Sequence, residues 1–342
     1  MTAASDLRCG TCWTIGVLML VSVVCAEPAR AQTTLMEPFP VGNRNPLVQV
    51  FGLPPARAAQ LRMAGTWTVD GRVEAGNSFS RSTPGGEKIV IDAETYRGEL
   101  GLQYGFSENW EFGLRMPWIH HDGGRMDRFI ENWHDFWGLP NSNRDKYPRD
   151  QLDIHYVDGD RDGLSFGDSN GGIGDISLDL GYRLPGAAGG DWALRGGIKL
   201  PTGDSDALTG SGATDAYLGL YHSRPQIFGN QNLALHLAAG VLLLGDGDLI
   251  DSRQEDAAVY GNLGLAWRLH ETFALKAQLD GHSAVYDSKT REIGKGSAQL
   301  VFGLSWLPRT RWQIDFSVAE DIYVDTAPDI VFQFGLRYRG GP

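Results

Sequence analysis

The chain has 342 residues, a formal charge of −12 and a mean hydropathy of −0.25. The acid excess excludes a nucleic-acid binder, whose phosphate contacts need basic patches, and the polar average excludes a bundle of membrane helices. Glycine supplies 45 residues, about 13% against a usual share of about 7%, and it is scattered rather than set in a collagen period.

The first 31 residues read as a secretory signal peptide. Arg8 supplies a charge partly offset by Asp6, an apolar run extends from Trp13 to Val24, and Ala29-Arg30-Ala31 places small residues before a cleavage point at Gln32. The apolar run is shorter than the roughly 20 residues that span a bilayer. A lipoprotein site at Cys25 is disfavoured by Val24, which stands where such sites want a very small residue. Cys9, Cys12 and Cys25 are the three cysteines and all lie in this leader. The Cys9–Cys12 spacing lacks the βαβ context of a redox motif, so the exported chain is expected to hold together without disulfides.

Residues 32–60 carry Pro38, Pro40, Pro46, Pro54 and Pro55, which forbid a regular central strand. The plainer expectation for this Pro-rich N-terminal segment is a periplasmic tail; the alternative is a plug in a barrel mouth.

From residue 61 onward the dominant period is two. Trp110, Phe112, Leu114 and Met116 alternate with Glu111, Gly113, Arg115 and Pro117; Ile176, Leu178, Leu180 and Tyr182 alternate with Ser177, Asp179, Gly181 and Arg183; Ile330, Phe332, Phe334, Leu336 and Tyr338 alternate with Val331, Gln333, Gly335, Arg337 and Arg339. Each such segment has one apolar and one polar or small face. About 12 strands follow, at 61–70, 93–106, 110–120, 174–184, 192–201, 214–223, 233–244, 257–268, 273–284, 296–306, 311–320 and 329–339. Most match the roughly 9–11 residues that a tilted strand needs to cross a bilayer and exceed the roughly 5–6 of soluble strands.

The connections alternate between short (107–109, 185–191, 224–232, 269–272, 307–310) and mostly longer, more acidic ones (71–92, 121–173, 202–213, 245–256, 285–295, 321–328). That is the pattern of an outer-membrane barrel with short periplasmic turns and long external loops. Trp110, Trp192, Trp267, Phe273, Trp306 and Trp312 sit beside short turns and are expected to form one membrane-interface girdle, with Trp118 in the opposite one. A soluble sandwich or lipocalin-like barrel shares the alternation but not the long strands, the alternating loops, the girdle and the leader together. The reading is all-β: a transmembrane up-and-down antiparallel β-barrel over 61–339, located in the cell outer membrane.

With the apolar face in lipid, the other face lines the lumen. Its candidates are Arg97, Glu99, Glu111, Arg115, Asp179, Arg183, Arg195, Lys199, Arg268, Lys276, Asp280, Asp315 and Arg337. Arg62 is placed there too, on the first expected strand. Both signs occur, so these groups must be paired or hydrated, and they describe either a salt-bridged closed core or a narrow wet channel.

The 121–173 loop contains Ile130-Glu131-Asn132-Trp133-His134-Asp135-Phe136-Trp137, an amphipathic stretch stopped by Gly138 and Pro140. A short helix there would cap the mouth or rest on the membrane surface. Asp158, Asp160 and Asp162 alternate before Gly163 like the opening of a Ca2+ loop. The twelfth position holds Ser169 instead of a bidentate Glu, and the plainer reading is a solvated acidic loop. No other cofactor is indicated. Catalysis is not indicated either: His282 and Ser283 are adjacent and point to opposite faces of a strand, as do His120 and His121, so no nucleophile–base pair assembles in the manner of the outer-membrane phospholipase.

Phe51-Gly52-Leu53-Pro54, Trp133-His134-Asp135-Phe136-Trp137-Gly138-Leu139-Pro140, and Lys199-Leu200-Pro201-Thr202-Gly203-Asp204 followed by Leu208-Thr209-Gly210-Ser211-Gly212 resemble the domain-of-unknown-function 3187 family over about 35–339. The resemblance implies a Gram-negative exported β-barrel and brings no activity. The last strand ends in Gly340-Gly341-Pro342, where such barrels usually place the final aromatic read by the insertion machinery. The expected function is a narrow channel or binding barrel for a small solute, an apolar or aromatic one by analogy with other barrel families. The alternatives are a structural or surface-interaction barrel with a closed lumen and, least favoured, a lipid-modifying enzyme. Its expected partners are outer-membrane lipid and lipopolysaccharide, the barrel-insertion machinery and the solute.

Overall fold

A computed structural model describes residues 35–138, 146–159, 163–186, 189–322 and 326–342. The leader lies outside the described residues. Twelve long strands form the wall: β1 (Trp67–Ser82), β2 (Glu87–Gly105), β3 (Trp110–Asp122), β7 (Ser177–Arg183), β8 (Asp191–Lys199), β9 (Asp215–Arg224), β10 (Leu233–Leu243), β11 (Ala257–His270), β12 (Phe273–His282), β13 (Ser297–Arg309), β14 (Trp312–Asp321) and β15 (Ile330–Gly340). Each pairs antiparallel with its neighbour, and β1 pairs with β15 from Trp67↔Gly340 to Asn77↔Ile330, which closes the barrel. Closure leaves no free edge in the wall.

Alternation sorts the two faces as expected. Outward, Val73, Leu100, Leu218 and Val259 are 57–61% exposed. A continuous apolar outer surface of this kind is stable only against lipid. The intervening residues turn into the lumen and are mostly polar and buried. Turns at 106–109, 184–190, 225–232, 271–272 and 310–311 mark a short-turn rim, and the opposite, long-loop rim carries 123–176, 200–214, 244–256, 283–296 and 322–329.

Two regions depart from the sequence reading. The first strand was expected at 61–70, but β1 starts at Trp67 and runs to Ser82, so the expected 71–92 loop shrinks to a turn at 83–86. Its far half is outside any lipid belt and lacks apolar alternation for that reason. Asn77 and Phe79 face outward there yet are buried, because the 123–176 loop folds back over them. In that loop α1 (Asp127–Trp137) seats Ile130 against Val318 and Ile330 on the outer wall, while Phe129 meets Phe332 at 5.8 Å. The helix therefore lies along the outside of the barrel rather than over its mouth. The same loop supplies β4 (Asp153–Asp158), β5 (Leu164–Phe166) and β6 (Asn170–Ile173), which extend the β2 and β3 ends beyond the barrel.

The second region is the Pro-rich segment. It does not trail from the barrel: residues 35–61 are largely buried inside it. Leu35 and Met36 pack on Ala234, Ala266 and Ala274 near the short-turn rim. Phe39 and Val41 climb past Val301, Ala319 and Val331. Leu47, Val48, Val50 and Phe51 turn over at the long-loop rim, in an apolar core with Ile89, Leu242, Tyr286 and Ile293. The chain then descends past Tyr221 and Ala193 at Ala59 and Leu61. Gly65 donates to Gly105 O at 2.7 Å, back at the rim where the segment entered.

Candidate functional site

The candidate site is the lumen together with the hairpin-shaped segment that fills it. Prolines prevent this segment from adding to the sheet, so its backbone groups must find partners on inward-pointing side chains. Phe39 N–H donates to Gln278 Oε1 at 3.0 Å, and Gln278 Nε2 returns a bond to Phe39 O at 3.0 Å. Gly52 N–H donates to Asp215 Oδ2 at 2.8 Å and Ala59 N–H to Ser223 Oγ at 2.9 Å. Arg195 and Lys199 donate to Ala58 O and Val50 O, both at 3.0 Å. Gly52 has a steric reason to be glycine, since a Cβ there would stand 3.0 Å from Asp215 Cβ and 3.2 Å from Lys199 Cβ.

Charge completes the attachment. Arg44 Nε meets Glu74 at 2.5 Å on the ascending leg, and Arg57 meets Asp179 at 2.6 Å on the descending leg. Glu37 joins the segment's two ends through Arg62 at 2.5 Å and ties them to the wall through Arg337 at 2.8 Å. Burial alone would push the Glu37 carboxyl up, but the Arg62 and Arg337 guanidiniums outweigh it and hold the pKa down at about 2. Removing either member of such a buried pair leaves an uncompensated charge.

The expected lumen residues divide by depth. Arg97, Glu99, Glu111, Arg115, Asp179, Arg195, Lys199, Lys276, Asp315 and Arg337 point inward and are buried, and Asp280 is half-buried beside Gln278 at 2.6 Å. Glu111 meets Arg195 at 2.7 Å, Glu99 takes both Arg72 and Arg97, and Lys199 takes Asp175 at 2.8 Å and Asp215 at 3.1 Å. Lys276 lies 3.8 Å from Asp315 and 4.4 Å above the Phe39 ring. Arg183 stands at the short-turn end of β7, and Arg268 bonds Asn232 Oδ1 at 2.9 Å at the same rim, so neither reaches the interior. Arg62, expected on a strand, belongs instead to the segment before β1.

Trp110, Trp192, Trp267, Phe273, Trp306 and Trp312 all stand at strand ends on the short-turn rim. Trp67, Tyr182 and Tyr338 join them through ring contacts of 4.7–5.5 Å. Trp118 stacks on His120 at 5.7 Å toward the other rim. Asp158 pairs with Arg253 at 2.8 Å, while Asp160 and Asp162 lie outside the described residues. Among the described residues no group of three or more metal-ligating side chains occurs. His120 and His121 diverge: His121 turns inward to Thr95 Oγ1 at 3.0 Å and Leu208 O at 3.2 Å.

Sequence reasoning missed the anchors Glu37, Arg44 and Arg57. A signal was present, since Leu35, Phe39, Leu47, Val48, Val50 and Phe51 give the segment more apolar bulk than a solvated tail carries.

No curated protein matches the chain. Among solved structures it is similar to the COG4313 outer membrane channel from Pseudomonas putida F1, at 14% identity and a TM-score of 0.53, over 82% of this chain and 97% of that chain. That likeness shows the fold. It is also similar to the KdgM porin in complex with disordered oligogalacturonate, at 7% identity and a TM-score of 0.42, over 79% of this chain and 98% of that one. The NanC porin stands at 10% and 0.42, over 80% and 99%. The profile of a family described as a protein of unknown function (DUF3187) matches residues 14–339, nearly the whole sequence, and the chain belongs to that family.

Proposed function

We propose that the protein is an outer-membrane channel for a small solute, closed at rest by its own residues 35–62. The observation that carries this reading is how the lumen is filled. The segment enters and leaves at one rim, and in mid-barrel it is fixed largely by ion pairs and hydrogen bonds to a polar wall. Such contacts exchange readily with water, and a wall that carries them is already suited to a hydrated path once the segment yields. Twelve strands also exceed the eight whose interior side chains alone can fill. The charged wall favours a polar, hydrated solute over an apolar one.

Residues 1–31 act as the leader in this reading, outer-membrane lipid and lipopolysaccharide surround the belt, and the insertion machinery reads a last strand whose final aromatic is Tyr338. The barrel has no catalytic role here. His282 Nδ1 faces Ser283 O at 2.7 Å and Ser283 Oγ accepts from Val259 N–H at 3.0 Å, an arrangement that serves the backbone. A second reading, a structural barrel with the 121–173 loop as its working part, is favoured by how tightly the segment fills the lumen: two voids between segment and wall measure only about 30 and 20 Å3. Planar-bilayer recordings separate the two. A channel gives rare openings for the full chain and sustained current for a variant lacking residues 35–60. Silence from both, with the deletion variant folded, supports the structural barrel.

A further inference from the structure

Arginine side chains line both voids, and not every one of them has a direct partner. Each void has room for about one water-sized particle, and Arg72 and Arg115 line both. The smaller is faced by Arg57, Arg62, Arg72, Arg115, Arg195 and Arg337 and by Glu37 and Asp70, while Asp179, Glu111 and Glu99 hold Arg57, Arg195 and Arg72 from just outside its lining. Around the larger, Arg44, Arg72, Arg97 and Arg115 are met on β1 and β2 by three carboxylates, Asp70, Glu74 and Glu99. Glu99 is shared between Arg72 and Arg97. Across the void, Asp175 and Asp215 are both drawn to Lys199, and Asp179 is taken by Arg57.

Arg115 is the residue left over. It is 7% exposed, and among the described residues no hydrogen bond or ion pair reaches it. Its Nε is sealed without an acceptor, as is the Nε of Arg97. Gln49, on the segment's turnover and lining the same void, is also 7% exposed, and neither its Nε2 nor its Oε1 has a partner. A guanidinium does not shed its proton in a protein, and Glu99, a carboxylate within electrostatic reach of Arg115, is already bonded to Arg72 and Arg97.

We propose that an anion of halide size occupies the larger void against Arg115, with Arg97 and the Gln49 amide as its other donors. The site spans wall and segment, so the anion fastens the turnover of the filling segment to β2 and β3. Halide concentration then sets how firmly the segment stays in place. This goes beyond the channel reading and does not depend on it, because occupancy is measured without conduction.

The test uses the full exported chain folded in detergent in sodium gluconate, an anion too large for the void. Bromide replaces gluconate at constant ionic strength, and the temperature at which the folded gel band is lost is recorded. The wild type should gain roughly 2–4 °C per tenfold rise in bromide above its dissociation constant, and Arg115→Met should abolish that dependence. Bromide-soaked wild-type crystals should show an anomalous peak beside Arg115. A flat bromide response in the wild type, an equal response in Arg115→Met, or no anomalous density at Arg115 overturns the proposal. Should Arg115→Met fail to fold, Gln49→Leu takes its place in the melting series and the crystal measurement stands without either variant.

Discussion

Glu37→Gln is the sharpest single perturbation of the closed lumen. The substitution keeps the side chain's shape and removes its charge, while Arg62 and Arg337 stay buried 2.5 and 2.8 Å away. Breaking a buried pair by removing one partner costs about 3–5 kcal/mol. Arg62 retains Glu111 at 3.6 Å, which places the cost near the lower end. About 3 kcal/mol raises the population in which the segment has left its seat by about 10²-fold, at about 1.4 kcal/mol per decade. Every cysteine of the chain lies before residue 26, so in the exported chain Ala56→Cys is a unique thiol at a position 2% exposed. Its rate of labelling by a water-soluble thiol reagent reports the open population. The Glu37→Gln background should raise that rate about a hundredfold with the barrel's circular dichroism unchanged. A rate within threefold of the parent would refute the idea that Glu37 holds the segment.

The same pair predicts acid sensitivity. The folded Glu37 pKa, about 2, lies below its ordinary value of 4.5, so its stabilisation is full above pH 4.5 and is lost as pH falls toward 2. Labelling of Ala56→Cys by a pyridyl disulfide, which reacts in acid, should accelerate across that window and do so less in Glu37→Gln. Gly52→Val should cost about 1–3 kcal/mol by overpacking against Asp215 and Lys199, seen as a lower melting midpoint, whereas Gly98→Ala, with open space around it, should be neutral. Ile130→Asp should free α1 from the outer wall, so that trypsin cleaves near Arg125 and Arg128 at low dose while the barrel stays intact.

The wall was legible because lipid imposes a strict period of two wherever it touches the strand. Expected and observed limits agree closely for β12 (273–284 against Phe273–His282) and β15 (329–339 against Ile330–Gly340). They part company where lipid is absent. The far half of β1 is covered by protein on its outer side, so Asn77 and Phe79 answer to the 123–176 loop and no simple alternation survives. The inward charges could be placed by parity, but their partners could not. Arg57 and Asp179 stand 122 residues apart, and Glu37 and Arg337 stand 300 apart. Nothing local marks such pairs, and prolines, which correctly excluded a strand at 32–60, say nothing about which side of the wall the segment occupies.

The central claim is that residues 35–62 close the lumen and must move for solute to pass. A Cβ built at Gly264 lies 3.7 Å from Pro38 Cβ, within the usual disulfide range of about 3.5–4.5 Å, so Pro38→Cys with Gly264→Cys pins the ascending leg to β11. Single-channel recording of this variant before and after adding reductant is the most direct test. Silence when oxidised and openings when reduced are the predicted result; the same trace in both states, whether open or silent, would contradict it.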